Sequence, residues 1–419
     1  MRKIFKSADI LLPKMADMTK WSVVACDQYT SEPEYWAALE REIGTEPSTL
    51  HLMLPEAYLE TRDQFEEAEK INKTMISYLE NGIFEEIKDS YIYVERTQRG
   101  GKVRRGLVGV LDLDEYDYSR DSVSPIRATE GTIVDRLPPR VQVRRGACIE
   151  MPHIMVFIDD SEGKVIAPLK GKSAALTKLY DFDLSADGGH IRGWQICGEA
   201  AAELETAVAT LSDREKLRER YGEKAPAIYA MGDGNHSLAT AKKCWEEIKH
   251  TLSYTERENH PARFSLVELV DIHDEAIEFE PIHKVVFETE PSEFIADMRE
   301  YWKQHERESE KFHTLRLAVG NEREEIRVHG LTIGELIGLA EEFCVGYTAA
   351  HGGKIDYIHN DDTAEGMGAR AGCAAVLLPP MEKGELFPSI INSGAFPKKS
   401  FSIGHAEDKR YYLECRKIK

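Results

Sequence analysis

Gly232-Asp-Gly-Asn-His-Ser237 is the stretch of sequence that decides the fold. It follows an apolar run, Ala227–Met231, and the apolar residues after it recur at helical spacing: Leu238, Ala241, Trp245 and Ile248. The pattern predicts a short buried strand, a tight polar loop and a helix that begins at Leu238, with Ser237 as its N-cap. The two glycines let main-chain N–H groups turn inward, and the start of a helix favours an anion. The loop is therefore predicted to bind a phosphate.

Within this loop the predicted phosphate ligands are Gly232, Gly234, Asn235 and Ser237. Asp233 and His236 are the titratable groups beside them, and both are candidate catalytic residues. An ordinary turn is the alternative interpretation, because Gly, Asp and Asn are common in turns. In that case the glycines only reverse the chain and His236 makes a structural hydrogen bond.

Charge and composition limit the partners of this chain. Its 419 residues include 42% apolar residues and carry a formal net charge of -20. An acidic surface repels nucleic acid and anionic membranes, so neither is an expected partner. Nowhere do eighteen consecutive apolar residues occur, which predicts that no segment spans a membrane. A small-molecule substrate is the expected partner.

The cysteines indicate a reducing compartment. They are seven in number, scattered, and contain no Cys-x-x-Cys pair. This usage is typical of free thiols in the cytoplasm and disfavours a disulfide framework or a zinc knuckle. The amino terminus also lacks the pattern of a signal peptide, so a cytoplasmic location is expected.

Helical and strand patterns alternate along the chain, with several hairpins among them. One hairpin is predicted from Tyr91 to Leu113, with its turn at Arg99–Lys102. The alternation predicts an α+β or mixed α/β fold. Three regions are expected: an amino-terminal α+β region over 1–125, a central region over 126–290 that holds the phosphate loop, and a carboxyl-terminal α+β region over 291–419 that packs back on the core.

A second group of candidate site residues lies between Ile126 and Arg140. Guanidinium groups bind phosphate or carboxylate through paired hydrogen bonds, which makes Arg127, Arg136 and Arg140 candidate phosphate ligands. Glu130, next to a glycine, is a candidate carboxylate for proton transfer or metal binding. Ordinary salt bridges that hold an irregular loop are the alternative.

Two further segments carry candidate residues. Lys398, Lys399 and Ser400 follow a glycine and a proline, and they form a second predicted anion site, although exposed lysines on a surface turn are the simpler interpretation. Asp27 follows the apolar run Val23–Cys26, and strand ends are where α/β folds often place an active-site carboxylate. Capping of the next helix by Thr30 or Ser31 is the alternative interpretation of that segment.

Five ordered motifs together carry a family resemblance. The chain resembles the bacterial and archaeal family called domain of unknown function 1015, over nearly its whole length. The motifs are Cys26-Asp-Gln-Tyr-Thr-Ser-Glu-Pro-Glu-Tyr-Trp36, Arg127-Ala-Thr-Glu-Gly131, Glu150-Met-Pro-His153 with Asp159-Asp160, Gly232-Asp-Gly-Asn-His-Ser237 and Pro397-Lys-Lys-Ser-Phe401.

The central motif is also similar to the loop of the ParB/sulfiredoxin-like fold, a group that includes free-serine kinases. This resemblance implies a ParB/sulfiredoxin-like core with hairpin-rich additional domains. It also implies that Asp233, Gly234 and His236 line a phosphate site. Ser237 stands where the related motif has an arginine, so Arg136, Arg140 or Lys398 would have to supply the positive charge.

The function that the resemblance implies is that of a small-molecule kinase of the free-serine-kinase type. Such an enzyme would transfer phosphate from ATP, ADP or pyrophosphate to an amino-acid hydroxyl such as that of L-serine, with Mg²⁺ bridging the phosphates. Asp27 or Glu130 would orient or deprotonate the hydroxyl, and Asp233 or Glu130 would bind the metal or its ligands. The alternative is a noncatalytic nucleotide-binding or metabolite-sensing protein of the same fold, which the serine at position 237 favours.

Overall fold

The structure is a computed structural model that describes residues 3–131, 137–411 and 413–419. Its amino-terminal part begins with two short strands and three helices, and a long hairpin follows. These elements are β1 (Phe5–Lys6), β2 (Ala8–Pro13), α1 (Met18–Trp21), α2 (Pro33–Ile43), α3 (Gln64–Glu80), β3 (Phe84–Thr97), β4 (Val103–Asp112), β5 (Tyr116–Asp117) and β6 (Ile126–Arg127). The hairpin predicted from Tyr91 to Leu113 is confirmed as β3 and β4.

The middle of the chain alternates helices and strands. Its elements are α4 (Leu137–Gly146), β7 (Ile149–Glu150), β8 (Met155–Ile158), α5 (Ala167–Lys172), β9 (Thr177–Asp183), β10 (His190–Ile196), α6 (Gly198–Ala209), α7 (Arg214–Tyr221), β11 (Tyr229–Asp233), α8 (Asn235–Lys249), α9 (Tyr254–Asn259), β12 (Phe264–Asp271), β13 (Phe279–Pro281) and β14 (His283–Phe287).

The carboxyl-terminal part adds helices on an antiparallel sheet. Its elements are α10 (Pro291–His305), β15 (Phe312–Val319), β16 (Glu322–His329), α11 (Ile333–His351), β17 (Lys354–Ile358), α12 (Asp361–Gly368), β18 (Cys373–Leu377), α13 (Leu386–Ser393), β19 (Phe401–Ile403) and β20 (Arg416–Lys417). The predicted mixed α/β fold is confirmed.

One large sheet organises the described residues. Nine of its strands run in the order β5-β6-β11-β8-β12-β4-β3-β10-β9, and β1 and β2 pair with β4 and β3. β11 lies between β6, to which it is parallel, and β8, to which it is antiparallel. β11 and β8 are short and apolar because both faces of this part of the sheet are covered. The sheet therefore draws strands from both of the first two predicted regions.

A second sheet takes its five strands from residues 283–377, in the order β16-β15-β18-β14-β17. Its strand pairs are antiparallel. Its apolar face packs with α10 and α11 in a core that also contains Phe157 and Ala230 of the large sheet. The domain bounds at 125 and 290 stay a prediction. None of the helices in the described part of the chain is long and apolar enough to cross a membrane.

Candidate functional site

The turn between β11 and α8 is built around Gly234. Its φ of +81° lies in the left-handed region, and a Cβ added there would stand 2.2 Å from the main-chain oxygen of His153. Only glycine satisfies both conditions without strain. Gly234 is also the N-cap, so α8 begins at Asn235. The predictions that Ser237 caps the helix and that the helix begins at Leu238 are wrong, because the left-handed glycine lets helical geometry start three residues earlier.

Asp233, the last residue of β11, is held by Lys409, His153 and a main-chain amide. Its Oδ2 lies 3.2 Å from Nε2 of His153 and 3.4 Å from Nζ of Lys409. Its Oδ1 accepts a 2.7 Å hydrogen bond from the N–H of Gly234. Burial alone would raise the pKa of Asp233, but Lys409 and His153 outweigh it and the pKa is lowered. Asp233 is therefore an ionised, ion-paired carboxylate.

His153 is oriented by the opposite side of its ring. Nδ1 lies 2.6 Å from the main-chain oxygen of Arg410, which can only accept, so Nδ1 carries a proton. Nε2, on the other side of the ring, lies 3.2 Å from Oδ2 of Asp233. The carbonyl of Arg410 thus directs His153 toward Asp233.

The surroundings of Glu130 raise the pKa of its carboxyl group, whereas those of Asp233 lower the pKa. This half-buried carboxyl accepts a 3.2 Å hydrogen bond from the main-chain N–H of Ser400. Burial raises its pKa to about 7, and the negative charge of Asp233 adds to the rise, although the N–H groups of Ser400 and Phe401 and the charge of Lys409 oppose it. A carboxyl that titrates near neutral pH can take up or release a proton under physiological conditions.

Lys409 links the carboxylates electrostatically. Asp233 raises its pKa most, and Asp27 and Glu130 contribute further despite burial, which acts in the opposite direction. The ammonium group therefore lies in the combined field of three of the predicted site residues. Lys409 brings together groups that are far apart in the sequence.

Arg140 lines a largely apolar cleft. Its guanidinium lies 2.8 Å from Oε1 of Glu56 and 3.5 Å from Oδ2 of Asp27. These carboxylates, with Cys26, raise the pKa of Arg140 against the effect of burial. The guanidinium is therefore held in place by its neighbours and keeps its charge.

Arg140 and Ser237 line the same cleft, which has a volume of about 130 Å³. Its lining is mostly apolar, with side chains from four parts of the chain: Leu52, Met53, Leu54, Met75, Val143 and Met151. The charged residues Glu56, Arg144 and Glu150 also line it. Among the described residues, none hydrogen-bonds to the hydroxyl of Ser237. The Oδ1 atom of Asn235 is buried and has no hydrogen-bond partner in the described part of the chain. The hydroxyl of Ser237 can donate a hydrogen bond to an anion at this helix start, whereas Oδ1 of Asn235 can only accept a hydrogen bond from a donor.

Comparison with protein-family models decides the family. The model of the family described as "Protein of unknown function (DUF1015)" matches residues 10–335. The chain belongs to the DUF1015 family. No curated protein matches the chain.

Several solved structures are similar to this DUF1015 protein at low identity. A truncated SbnI from Staphylococcus aureus is 9% identical, with a TM-score of 0.34, and the match covers 71% of this chain and 82% of SbnI. A conserved hypothetical protein from Pyrococcus furiosus is 12% identical, with a TM-score of 0.33 and coverage of 72% and 91%. A free serine kinase variant in complex with ADP is 9% identical, with a TM-score of 0.36 and coverage of 74% and 93%. At these TM-scores the likenesses say nothing about activity.

The remaining predicted residues of the DUF1015 chain fall into two groups. Gly232 lies in β11 and His236 in the first turn of α8, where the main-chain oxygen of His236 accepts from the hydroxyl of Thr240 at 2.7 Å. Ser400 is buried and contacts Glu130 through its main-chain N–H. These residues adjoin the site. Arg136 lies outside the described residues.

Arg127, Lys398 and Lys399 have other surroundings. Arg127 is buried and donates to the main-chain oxygens of Ser124, at 2.8 Å, and Ala225, at 2.5 Å. Lys398 and Lys399 are exposed, and Nζ of Lys399 lies 4.8 Å from the ring centre of Tyr357. Their role as phosphate ligands stays a prediction.

Sequence reasoning missed Lys409 as a site residue and did not assign a role to His153. His153 is the last residue of the quoted motif Glu150-Met-Pro-His153, and its place in that motif was the available signal. Lys409 lies in His405-Ala-Glu-Asp-Lys409, which has no distinguishing pattern. Only the folding of the carboxyl terminus against β11 reveals it.

The described residues of the candidate site do not form a preformed set of three Mg²⁺ ligands. Within residues 3–131, 137–411 and 413–419, the only group of three metal-ligating side chains is Glu293, Asp297 and His351, which is exposed and lies on α10 and α11. Asp233 is already paired with Lys409 and in contact with His153, which disfavours it as a Mg²⁺ ligand. Mg²⁺ often binds through substrate phosphates and only one or two carboxylates, so a requirement for Mg²⁺ stays a prediction about the nucleotide-bound state.

Proposed function

We propose that this protein is a phosphotransferase that moves a phosphoryl group from a nucleotide to the hydroxyl of a small acceptor such as L-serine. One observation carries the proposal: Glu130, with a pKa of about 7, shares a site with Asp233, whose pKa is lowered. In acid-base catalysis two neighbouring carboxyl groups often have different roles because the pKa of one is raised and the pKa of the other is lowered.

Glu130 is the proposed general base. The acceptor oxygen attacks the terminal phosphorus of the donor, and an O–P bond forms while the bond from that phosphorus to the bridging oxygen breaks. The hydroxyl proton moves to the carboxylate of Glu130, and the nucleotide leaves with one phosphate fewer. ATP would thus give ADP, and ADP would give AMP.

Positive charge for the phosphates comes from Arg140, Lys409 and the start of α8. The guanidinium of Arg140 lies in the same cleft as Ser237, so it can supply the charge that the arginine of the related motif would provide. Asp233 keeps Lys409 in position and protonated. Oriented charges of this kind typically contribute about 10² to 10³ in rate each.

The first experiment is a product assay. Purified protein would be incubated with Mg²⁺, an amino-acid pool that contains L-serine, and ATP, ADP or pyrophosphate in parallel, and mass spectrometry would detect phosphorylated amino acid. We expect product with at least one nucleotide and its loss in Glu130→Gln. A matched control is Glu414→Gln, because Glu414 is also buried with a pKa of about 7 but contacts Tyr180 elsewhere.

A noncatalytic nucleotide-binding role is the second candidate, and the neutral Ser237 favours it. A protein of that kind would gain thermal stability with the logarithm of nucleotide concentration once that concentration exceeds Kd, yet form no product with any donor. That combination would refute the phosphotransferase and support the binding protein.

A further inference from the structure

The cleft that Arg140 and Ser237 line is largely apolar. Leu54, Met75 and Val143 supply apolar side chains to it, and its charged lining residues besides Arg140 are Glu56 and the ion pair of Arg144 with Glu150. The cleft lies between α3, α4 and the segment that follows α2. Engineered apolar cavities of about 150 Å³ hold a benzene ring, so a cleft of about 130 Å³ that opens to its surroundings is of the size that takes up one ring of a planar base.

The charged groups around the cleft indicate whether the phosphate donor or the acceptor binds in it. Glu130, the proposed base, is not among the residues that line it. Arg140, which lines the cleft, lies 3.5 Å from Asp27, and Asp27 and Glu130 both raise the pKa of Lys409. A donor with its base in the cleft would place its phosphates beside the cations Arg140 and Lys409, with the reacting end toward Glu130.

We infer that the apolar interior of this cleft binds the nucleobase of the phosphate donor. The inference rests on the proposed function, because it needs a nucleotide whose phosphates lie between Arg140 and Lys409. The acceptor is excluded from the cleft since its hydroxyl has to reach Glu130. Planar heteroaromatic rings are suited to the cleft because Leu, Met and Val side chains offer close contact over both ring faces.

Filling the cleft tests the inference. Val143 is half-buried and lines the interior, so Val143→Phe would occupy the volume of the ring. Isothermal titration calorimetry would measure the binding of ADP, which has a base, and of tripolyphosphate, which has none. We expect the substitution to weaken ADP about tenfold or more and to leave tripolyphosphate binding within about twofold. Retained tripolyphosphate binding also shows that the variant is folded.

Two controls sharpen the result. Val345→Phe places the same side chain on α11 at a residue that is 49% exposed and outside the cleft, and it should change neither affinity. Met75→Ala enlarges the interior from another helix, and it should weaken ADP selectively because it removes contacts with the ring.

The binding results distinguish a failure of the nucleobase assignment from a failure of the proposed phosphotransferase function. Equal weakening of ADP and tripolyphosphate by Val143→Phe, or no weakening of either, would overturn the nucleobase assignment and leave the phosphotransferase standing. Failure of the wild-type protein to bind both ADP and tripolyphosphate would overturn the proposed function, and the assignment with it.

Discussion

Nζ of Lys409 lies 3.4 Å from Oδ2 of Asp233, and this contact joins the carboxyl-terminal segment to the end of a central strand. The pair is mostly buried, with each side chain 21% exposed. Its chemistry fixes two properties of the site: a permanent negative charge beside Glu130 and an ammonium group directed at the same place. We therefore expect both residues to affect the stability and the activity of the protein.

Removal of the charge on Asp233 should lower both the stability and the phosphotransfer activity of the protein. In Asp233→Asn, Lys409 and His153 lose their ionic partner, and we expect the free energy of unfolding to fall by about 1–3 kcal/mol. Phosphotransfer should fall by about 10² or more because Lys409 is no longer held in place. Urea unfolding and the product assay measure the two effects.

A double-mutant cycle with Lys409→Met provides the control for that prediction. Because the residues are in contact, the double variant should be less destabilised than the sum of the single variants. Additive effects would show that the ion pair makes no contribution to stability.

The pH profile of activity should follow Glu130. As a base, Glu130 acts in its ionised form, so activity should rise with pH and level off above a pKa of about 7. Glu130→Gln should lose this rise together with most of the activity. Glu414→Gln should keep the wild-type profile, because Glu414 lies against Tyr180 away from the site.

Glu130 should also make stability depend on pH in a defined direction. Its pKa of about 7 in the folded protein exceeds the ordinary value of 4.5, so the folded state binds a proton that the unfolded chain releases in between. The stabilisation is therefore complete below pH 4.5 and is lost as the pH rises through 7. Relative to the wild type, Glu130→Gln should gain about 3 kcal/mol of unfolding free energy as the pH rises between those limits. Chemical denaturation at several pH values measures the difference, and a difference that does not vary with pH would contradict the raised pKa.

Arg140 should matter for nucleotide affinity. Arg140→Met removes the charge that Asp27 and Glu56 hold in the lining of the cleft, so we expect ADP affinity to fall about tenfold to a hundredfold. Arg145→Met is a matched control on α4, because Arg145 is 54% exposed and pairs with Glu247. Similar losses in both variants would point to general charge attraction and contradict a specific contact at Arg140.

Gly234 should be essential for the turn. In Gly234→Ala, the new Cβ would meet the oxygen of His153 at 2.2 Å in a left-handed conformation, and we expect a loss of about 2–4 kcal/mol. Gly338→Ala is the control, because this glycine lies inside α11 with open space around it. That variant should gain about 0.5–1 kcal/mol in thermal or urea unfolding. A Gly234→Ala protein as stable as the wild type would contradict the required geometry.

Local sequence patterns predicted much of the fold around the site. The apolar run before Gly232 and the helical spacing after Ser237 were sufficient for a strand, a loop and a helix, because these signals act within a few residues. The hairpin of β3 and β4 followed from the same kind of pattern. The helix start was misplaced by three residues, because N-cap preferences describe side chains and the cap here is a left-handed glycine.

The sequence by itself determined the mixed α/β class, the family motifs, and the residue types available for binding phosphate. Only the tertiary structure decided which of them act together. It places Asp233, Glu130 and Asp27 around Lys409, and it turns Arg127 toward main-chain oxygens. The physical reason is that proton affinity and ion pairing depend on burial and on charges a few ångströms away, and those distances are set by chain segments that are remote in sequence.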